Sequence, residues 1–161
     1  MSDEYERPAA PPPPLFLGQK ERDLVKQVND ELIEHVIGQQ VLYYPIDLDR
    51  TDFHSLYGEA IEKNFLPPIH VNALIHWEGR EVVTDQYGID RKTKITIYFH
   101  KRRLVEDQNV WVREGDFVYY GDSYYEIVKT MEPRELWGQT QHKMEIVAEC
   151  IKSRQGKFNA E

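Results

Sequence analysis

The stretch Val112-Arg113-Glu114-Gly115-Asp116-Phe117-Val118-Tyr119-Tyr120-Gly121-Asp122-Ser123-Tyr124-Tyr125-Glu126-Ile127-Val128 constrains the fold more than any other part of the chain. Two runs of aromatic and β-branched residues flank Gly121-Asp122, and a tight connection between strands needs residues there that tolerate positive φ. The spacing predicts a β-hairpin turning at Gly121 and Asp122. Gly115-Asp116 is a second turn signal, so the first strand is expected to enter from a sharp corner, as at the bend of a small barrel. Alternation puts Phe117 and Tyr119 on one face and Val118 and Tyr120 on the other. A strand apolar on both faces needs a core beneath it and a cover above it, supplied by a second sheet, a helix or another subunit.

Upstream, Leu24, Val25, Val28, Leu32, Val36 and Ile37 recur at helical spacing between Gln19 and Ile37, and Gly38 stands where a left-handed C-terminal stop is expected. Such a stripe most often packs on the protein's own sheet. Val41 to Tyr44 reads as a strand. Asp49 or Thr51 is placed to cap a short helix through Leu56 and Ala60 ahead of Pro67-Pro68. Ile69 to Trp77 alternates cleanly, with Ile69, Val71, Ala73, Ile75 and Trp77 on one face. Glu78 to Thr93 reads as a long polar connection, and Lys94 to Phe99 as a strand followed by the basic turn Lys101-Arg102-Arg103. Val110-Trp111-Val112 reads as extended, Met131 to Gln141 as a second irregular segment, and His142 to Lys152 as a long closing strand that aligns Met144, Ile146, Ala148 and Cys150. The fold class expected is mainly β, a small antiparallel β-barrel or sandwich of about six strands with one N-terminal amphipathic helix.

Met1 to Gly18 carries Pro8 and the run Pro11 to Pro14, which favours extended polyproline II and cannot enter a helix interior. It reads as an arm, either a disordered tail or one whose Leu15-Phe16-Leu17 tip docks on a neighbour. The domain division expected is this arm at 1–18, a single barrel-like domain at 19–152, and a flexible tail at 153–161. A length of 161 residues suits one such domain. The formal net charge of −8 disfavours gripping duplex DNA, because that depends on Lys and Arg neutralising phosphates. Cys150 stands alone, so no internal disulfide is available, and no signal peptide or membrane-length apolar run is evident. The chain is expected to be soluble and made in a reducing cytoplasm.

Catalytic and metal-binding patterns are not found. His70 and His76 lie six residues apart on a predicted strand, roughly 20 Å, which is too far to share one ion. There is no Gly-rich phosphate loop, nucleophile elbow or His-Glu-x-x-His pair. Cys150 alternates with apolar residues and reads as a buried small hydrophobe. No enzyme, no metal and no cofactor is expected. Lys101-Arg102-Arg103 reads as a solvated turn or a subunit contact, with Arg102 and Arg103 the contact candidates. Leu136-Trp137 is an apolar pair in a polar loop, the composition of a contact buried on assembly.

Leu56-Tyr57-Gly58-Glu59-Ala60, Asp85 with Tyr87-Gly88-Ile89-Asp90, Lys101-Arg102-Arg103-Leu104, Arg113 to Tyr120, and Tyr125-Glu126-Ile127-Val128 follow one another in an order that resembles the neck proteins of contractile-tailed bacteriophages. The resemblance spans roughly Leu42 to Lys152. It implies a head-closure or head-to-tail connector in the virion, a homo-oligomeric, hexameric ring beneath the portal. The implied partners are portal or adaptor proteins above and a tail terminator below, with DNA passing through without specific binding and no membrane contact. Trp77, Trp111 and Trp137 and ten tyrosines are rigid anchors of the kind enriched at interfaces. The other readings open are a tail-tube or baseplate component, and a nucleic-acid or peptide-binding barrel using Tyr119, Tyr120, Tyr124 and Tyr125 as a stacking platform.

Overall fold

In a computed structural model, which describes residues 18–53, 60–85, 88–133, 135–136 and 139–153, six strands close into an antiparallel barrel. Helix α1 (Gln19–Glu31) continues into a π-helical segment, Leu32–Ile37, and stops at Gly38, whose φ of 59° lets its N–H reach the carbonyl of Ile33. The strands are β1 (Gln40–Tyr44), the short pair β2 (Asp52–Phe53) and β3 (Ala60–Glu62), β4 (Ile69–Asp85), β5 (Gly88–His100), β6 (Phe117–Tyr120), β7 (Ser123–Met131), the short pair β8 (Glu135–Leu136) and β9 (Gln139–Lys143), and β10 (Glu145–Lys152). The barrel runs β1-β4-β5-β10-β7-β6 and closes where Leu42 pairs with Tyr119.

The β6–β7 hairpin turns where its composition requires. Tyr120 pairs with Ser123, and Gly121 and Asp122 hold φ of 55° and 63°, positive at both turn positions as a type I′ turn demands. Nothing lies within 4 Å of a Cβ built on Gly121, so a side chain there meets only backbone strain. Gly121→Val is therefore expected to cost roughly 1 to 2 kcal/mol and to lower the melting temperature by about 2 to 8 °C. An unchanged thermal midpoint would exclude this turn geometry.

Val118 and Tyr125 pair across the hairpin and are fully buried in the barrel with Ile97, Phe99 and Ala148. The opposite face is covered at Phe117 by Phe65, whose ring centroid lies 5.2 Å away, and by the Lys63 ammonium 5.5 Å from the ring centre. The cover is thus the chain's own excursion between β1 and β4. Burial of these aliphatic and aromatic side chains, at roughly 1.5 to 3 kcal/mol each, dominates the favourable terms.

Several expectations are corrected. The polar stretch Glu78 to Thr93 is not a loop. It extends β4 and β5 as a hairpin, paired from Arg80↔Thr93 to Asp85↔Gly88. The partner strands stop short of it: β1 leaves β4 at Asn72 and β10 leaves β5 at Lys94. A two-stranded arm about 20 Å long therefore projects from the barrel. The stretch shows no clean polar–apolar alternation of the kind read as a strand elsewhere in the chain. A bulge between Trp77 and Gly79, where Gly79 holds φ of 100°, marks its root. The short helix expected from Asp49 or Thr51 is absent at its described ends, because Asp52 pairs with Glu62 and Phe53 with Ala60; Leu56 lies outside the described residues. Asp47 instead accepts from the N–H groups of Asp49 and Arg50 and forms a turn. Val110-Trp111-Val112 joins no strand, although Val110 is buried. The Met131 to Gln141 segment contains β8 and the start of β9, and the expected closing strand breaks at Met144 between β9 and β10. Ile146, Ala148 and Cys150 are buried together as the alternation predicts.

Candidate interaction surface

Helix α1 has no residue that is fully buried, so charge as well as packing must hold it on the barrel. Asp30 and Glu34, one helical turn apart, face the segment that follows β5. Asp30 is ion-paired with Arg102, and Glu34 Oε1 lies 2.5 Å from Arg103 Nε. Arg103 also bonds Asp107 one turn further along its own π-helical segment, Arg103–Asp107, at 2.6 Å. That segment inserts Leu104, which is 1% exposed, into the core and so fixes where the two guanidinium groups stand. The clamp therefore ties helix position to barrel packing.

His100, 3% exposed, lies inside the clamp. Its Nδ1 is 3.3 Å from Asp30 Oδ1 and also accepts the N–H of Arg103 at 3.4 Å. The first contact needs a proton on Nδ1 and the second a bare Nδ1, so the two are not made together. Burial pushes the imidazole below its ordinary pKa, with Arg102 and Arg103 adding to the effect and Asp30 and Glu34 opposing it. Since Arg102 already neutralises Asp30, the neutral ring is the dominant form. A cavity of about 180 Å³ beside it is lined by Asp30, Ile33, Glu34, His100, Arg103 and Asp107 among others. The acids and the guanidinium lining it are paired with one another, so it presents no single sign of charge to a ligand.

The outer side of the helix is apolar. Leu24, Val28, Leu32 and Val36 are 61%, 57%, 45% and 71% exposed and recur every fourth residue. In a regular α-helix, side chains four apart drift steadily around the axis. The i→i+5 closure of the Leu32–Ile37 segment slows that rotation, which keeps Val36 on the stripe while Ile33 and Ile37 stay partly covered. The apolar periodicity thus divides into a barrel-facing row and a solvent-facing row, and the expectation that the whole stripe packs on the sheet is corrected. A contiguous row of half-exposed Leu and Val is the kind of patch that marks an interaction site. Trp77 and Trp111, 53% and 57% exposed, are further apolar surface, with Trp77 at the root of the projecting arm and in ring contact with Tyr120 and Tyr125.

The residues singled out from sequence are not gathered in one place. Leu15, Phe16, Leu17 and Trp137 lie outside the described residues, and Leu136 is placed only by its backbone, paired with Gln139. Arg102 and Arg103 form the helix clamp, so the basic turn is not a free cationic patch. The four tyrosines do not share a face: Tyr119 and Tyr124 stack outside at 4.8 Å, while Tyr125 is buried and Tyr120 packs against the core. A four-ring platform is therefore not formed. Cys150 is buried and its thiol is pushed up to about 12, as suits a small core residue. His70 and His76 are both on β4, and no group of three or more His, Cys, Asp or Glu is gathered for a metal among the described residues.

Sequence reasoning missed the buried carboxylate of Asp116, recognising only its corner. Asp116 is 1% exposed and accepts hydrogen bonds from the Tyr43 hydroxyl, from the Ile46 N–H at 2.8 Å and from the Arg113 N–H at 3.0 Å. The one available signal was a Gly-Asp step at a corner before a strand, where an Asp side chain commonly caps local backbone. Neither any protein-family model nor any curated protein matches the chain.

Proposed function

We propose that this chain is a structural virion protein of a contractile-tailed phage, forming a ring in the neck that closes the DNA-filled head below the portal and joins it to the tail. The observation that carries this reading is a barrel with a complete core of its own that still leaves an apolar helix stripe and a projecting two-stranded arm. A closed barrel has no free edge in its body, so contacts with neighbours fall to the elements appended to it. A head-to-tail ring needs two different surfaces on each subunit, and the stripe and the arm are two such surfaces. Portal or adaptor proteins above and a tail terminator below are the partners this position requires. The order of motifs from Leu56 to Val128 supports the same reading. The stacking-platform alternative lacks its surface, since Tyr120 and Tyr125 turn inward.

Cryo-microscopy of particles tests the proposal. Closed rings of this chain between portal and tail are expected, and single unringed copies, or rings confined to the tube or baseplate, would overturn it. A net charge of −8 and a basic turn already engaged by Asp30 and Glu34 leave little to hold phosphate. No DNA binding is therefore expected from the free protein at physiological salt. A micromolar, steeply salt-dependent affinity in a fluorescence titration would favour the nucleic-acid barrel instead.

A further inference from the structure

We propose that Leu15-Phe16-Leu17 of one copy lies along the Leu24-Val28-Leu32-Val36 stripe of a neighbouring copy, so that each subunit's arm is received by the next subunit's helix. The inference rests on the ring reading above and names the contact that builds the ring.

The stripe is one side chain wide. It is far narrower than the ~800 Å² per partner of a stable interface between globular surfaces, and it suits an extended segment. Seventeen residues precede Gly18, the residue before α1, and the last three of them are consecutive and apolar. In an extended chain Leu15 and Leu17 stand roughly 6.5 Å apart on one side. Stripe residues four apart along a helix repeat at about 6 Å. The two spacings match, so Leu15 and Leu17 bracket successive stripe residues and Phe16 covers their flank. The four prolines Pro11 to Pro14 come just before them in sequence, a composition that favours extended polyproline II and would lower the entropy lost on docking.

The same chain cannot close this contact on itself. Leu15 is three residues from Gly18 and reaches at most about 10 Å from it. Leu24 lies about 9 Å along the helix from Gly18, whereas Val36 lies about 27 Å away. In cis the triad covers Leu24 at most and leaves Val28, Leu32 and Val36 bare. The triad of a second copy is free of that limit and can seat on the Val28-Leu32-Val36 end of the stripe, two successive residues at a time. That contact joins two unlike surfaces, the arrangement that propagates and closes into rings.

Full-length Phe16→Cys protein, uniformly labelled with ¹⁵N, is mixed in equal amounts with unlabelled full-length Leu32→Cys protein at about 1 mM and treated with a short bis-maleimide. Cys150, buried and with its thiol pushed up to about 12, stays silent. Mixed-isotope cross-links between positions 16 and 32 are expected at least tenfold above those formed with Lys152→Cys in place of Leu32→Cys. Adding Val36→Asp to the unlabelled chain should return them to the Lys152→Cys level, without unfolding, because Val36 is 71% exposed. Cross-links equal to that control would overturn the proposal. Virions that assemble normally with Val28→Asp and Val36→Asp would sink this contact and leave the neck reading standing. Cross-linking between chains of a protein absent from virions would do the reverse.

Discussion

Replacing Asp116 with alanine is expected to bring the protein to the edge of unfolding, the largest single-residue effect in the barrel outside its aromatic core. The carboxylate joins three parts of the chain that are distant in sequence: Tyr43 near the end of β1, Ile46 just beyond it, and Arg113 in the corner before β6. The corner itself turns at Gly115, whose φ of 92° strains any side chain and whose Cβ position lies 3.2 Å from Ile46 Cδ1, which would have to shift. Main-chain bonds complete the knot, since the Gly115 N–H reaches the Ile127 carbonyl at 2.7 Å and the Ile127 N–H reaches the Asp116 carbonyl at 2.9 Å. Burial pushes the Asp116 carboxyl above its ordinary range, against the pull of its three donors. Alanine removes the acceptor, strands the N–H groups of Ile46 and Arg113, and leaves the Tyr43 hydroxyl only the Trp111 carbonyl at 3.3 Å. Each stranded donor costs about 1 to 3 kcal/mol, so a total of about 2 to 6 kcal/mol is a large share of the roughly 5 to 15 kcal/mol available to a domain. Tyr43→Phe removes one donor and leaves two, so about 1 kcal/mol is expected. Urea unfolding of the three proteins measures the order, and an Asp116→Ala midpoint within error of Tyr43→Phe would show that the carboxylate is not the hub.

That hub illustrates which parts of the structure were legible in the sequence. Local signals were sufficient wherever one stretch fixes its own geometry: the Gly121-Asp122 turn, the Gly38 stop, and the alternation that buries Val71, Ala73 and Ile75 on β4. A barrel or a sandwich followed from the strand count and the short links between strands, and the pairing of β6 with β1 makes it a barrel. Contacts set by distant pairing were not legible, because nothing in Asp30 announces Arg102 and nothing in Asp116 announces Tyr43. The β4–β5 arm was misread for a related reason. Alternation appears where one face of a strand meets a core, and this hairpin lies beyond the reach of the β1 and β10 pairings. The helix stripe was half read: the period of the apolar residues is visible, but which side meets the barrel depends on the π-helical segment and on the acids at positions 30 and 34. The surface proposed for assembly therefore became visible only once the barrel had claimed its share of the helix.

Asp30→Ala is expected to loosen the helix from the barrel and to make the protein more sensitive to mild acid. Asp30 is the common partner of Arg102 and His100, and its side chain is only 14% exposed. Its removal leaves the Arg102 guanidinium, 22% exposed, with the weaker contacts to Glu106 at 4.0 Å and Asp107 at 3.7 Å. A loss of about 2 to 3 kcal/mol is expected, below the full cost of breaking a buried pair because water still reaches Arg102. The pH dependence follows from His100. Its pKa in the folded protein lies below the ordinary value of 6.5, so between those two values the unfolded chain binds more protons than the folded one. Stability is accordingly full above about pH 6.5 and falls as the pH drops through the folded pKa. Asp30 and Glu34 pull that pKa up, whereas burial and the charges of Arg102 and Arg103 push it down. Removing Asp30 lowers it further and widens the pH window of loss. His100→Gln takes this ionisable group away, so its acid decline between pH 7 and about 5 should be shallower than that of the wild type, the carboxylates of Asp107 and Glu132 being held below their ordinary range. Urea midpoints measured across that range for wild type, Asp30→Ala and His100→Gln should give the steepest acid decline in Asp30→Ala and the flattest in His100→Gln. Parallel profiles for all three would mean that His100 is not the group that titrates within the clamp.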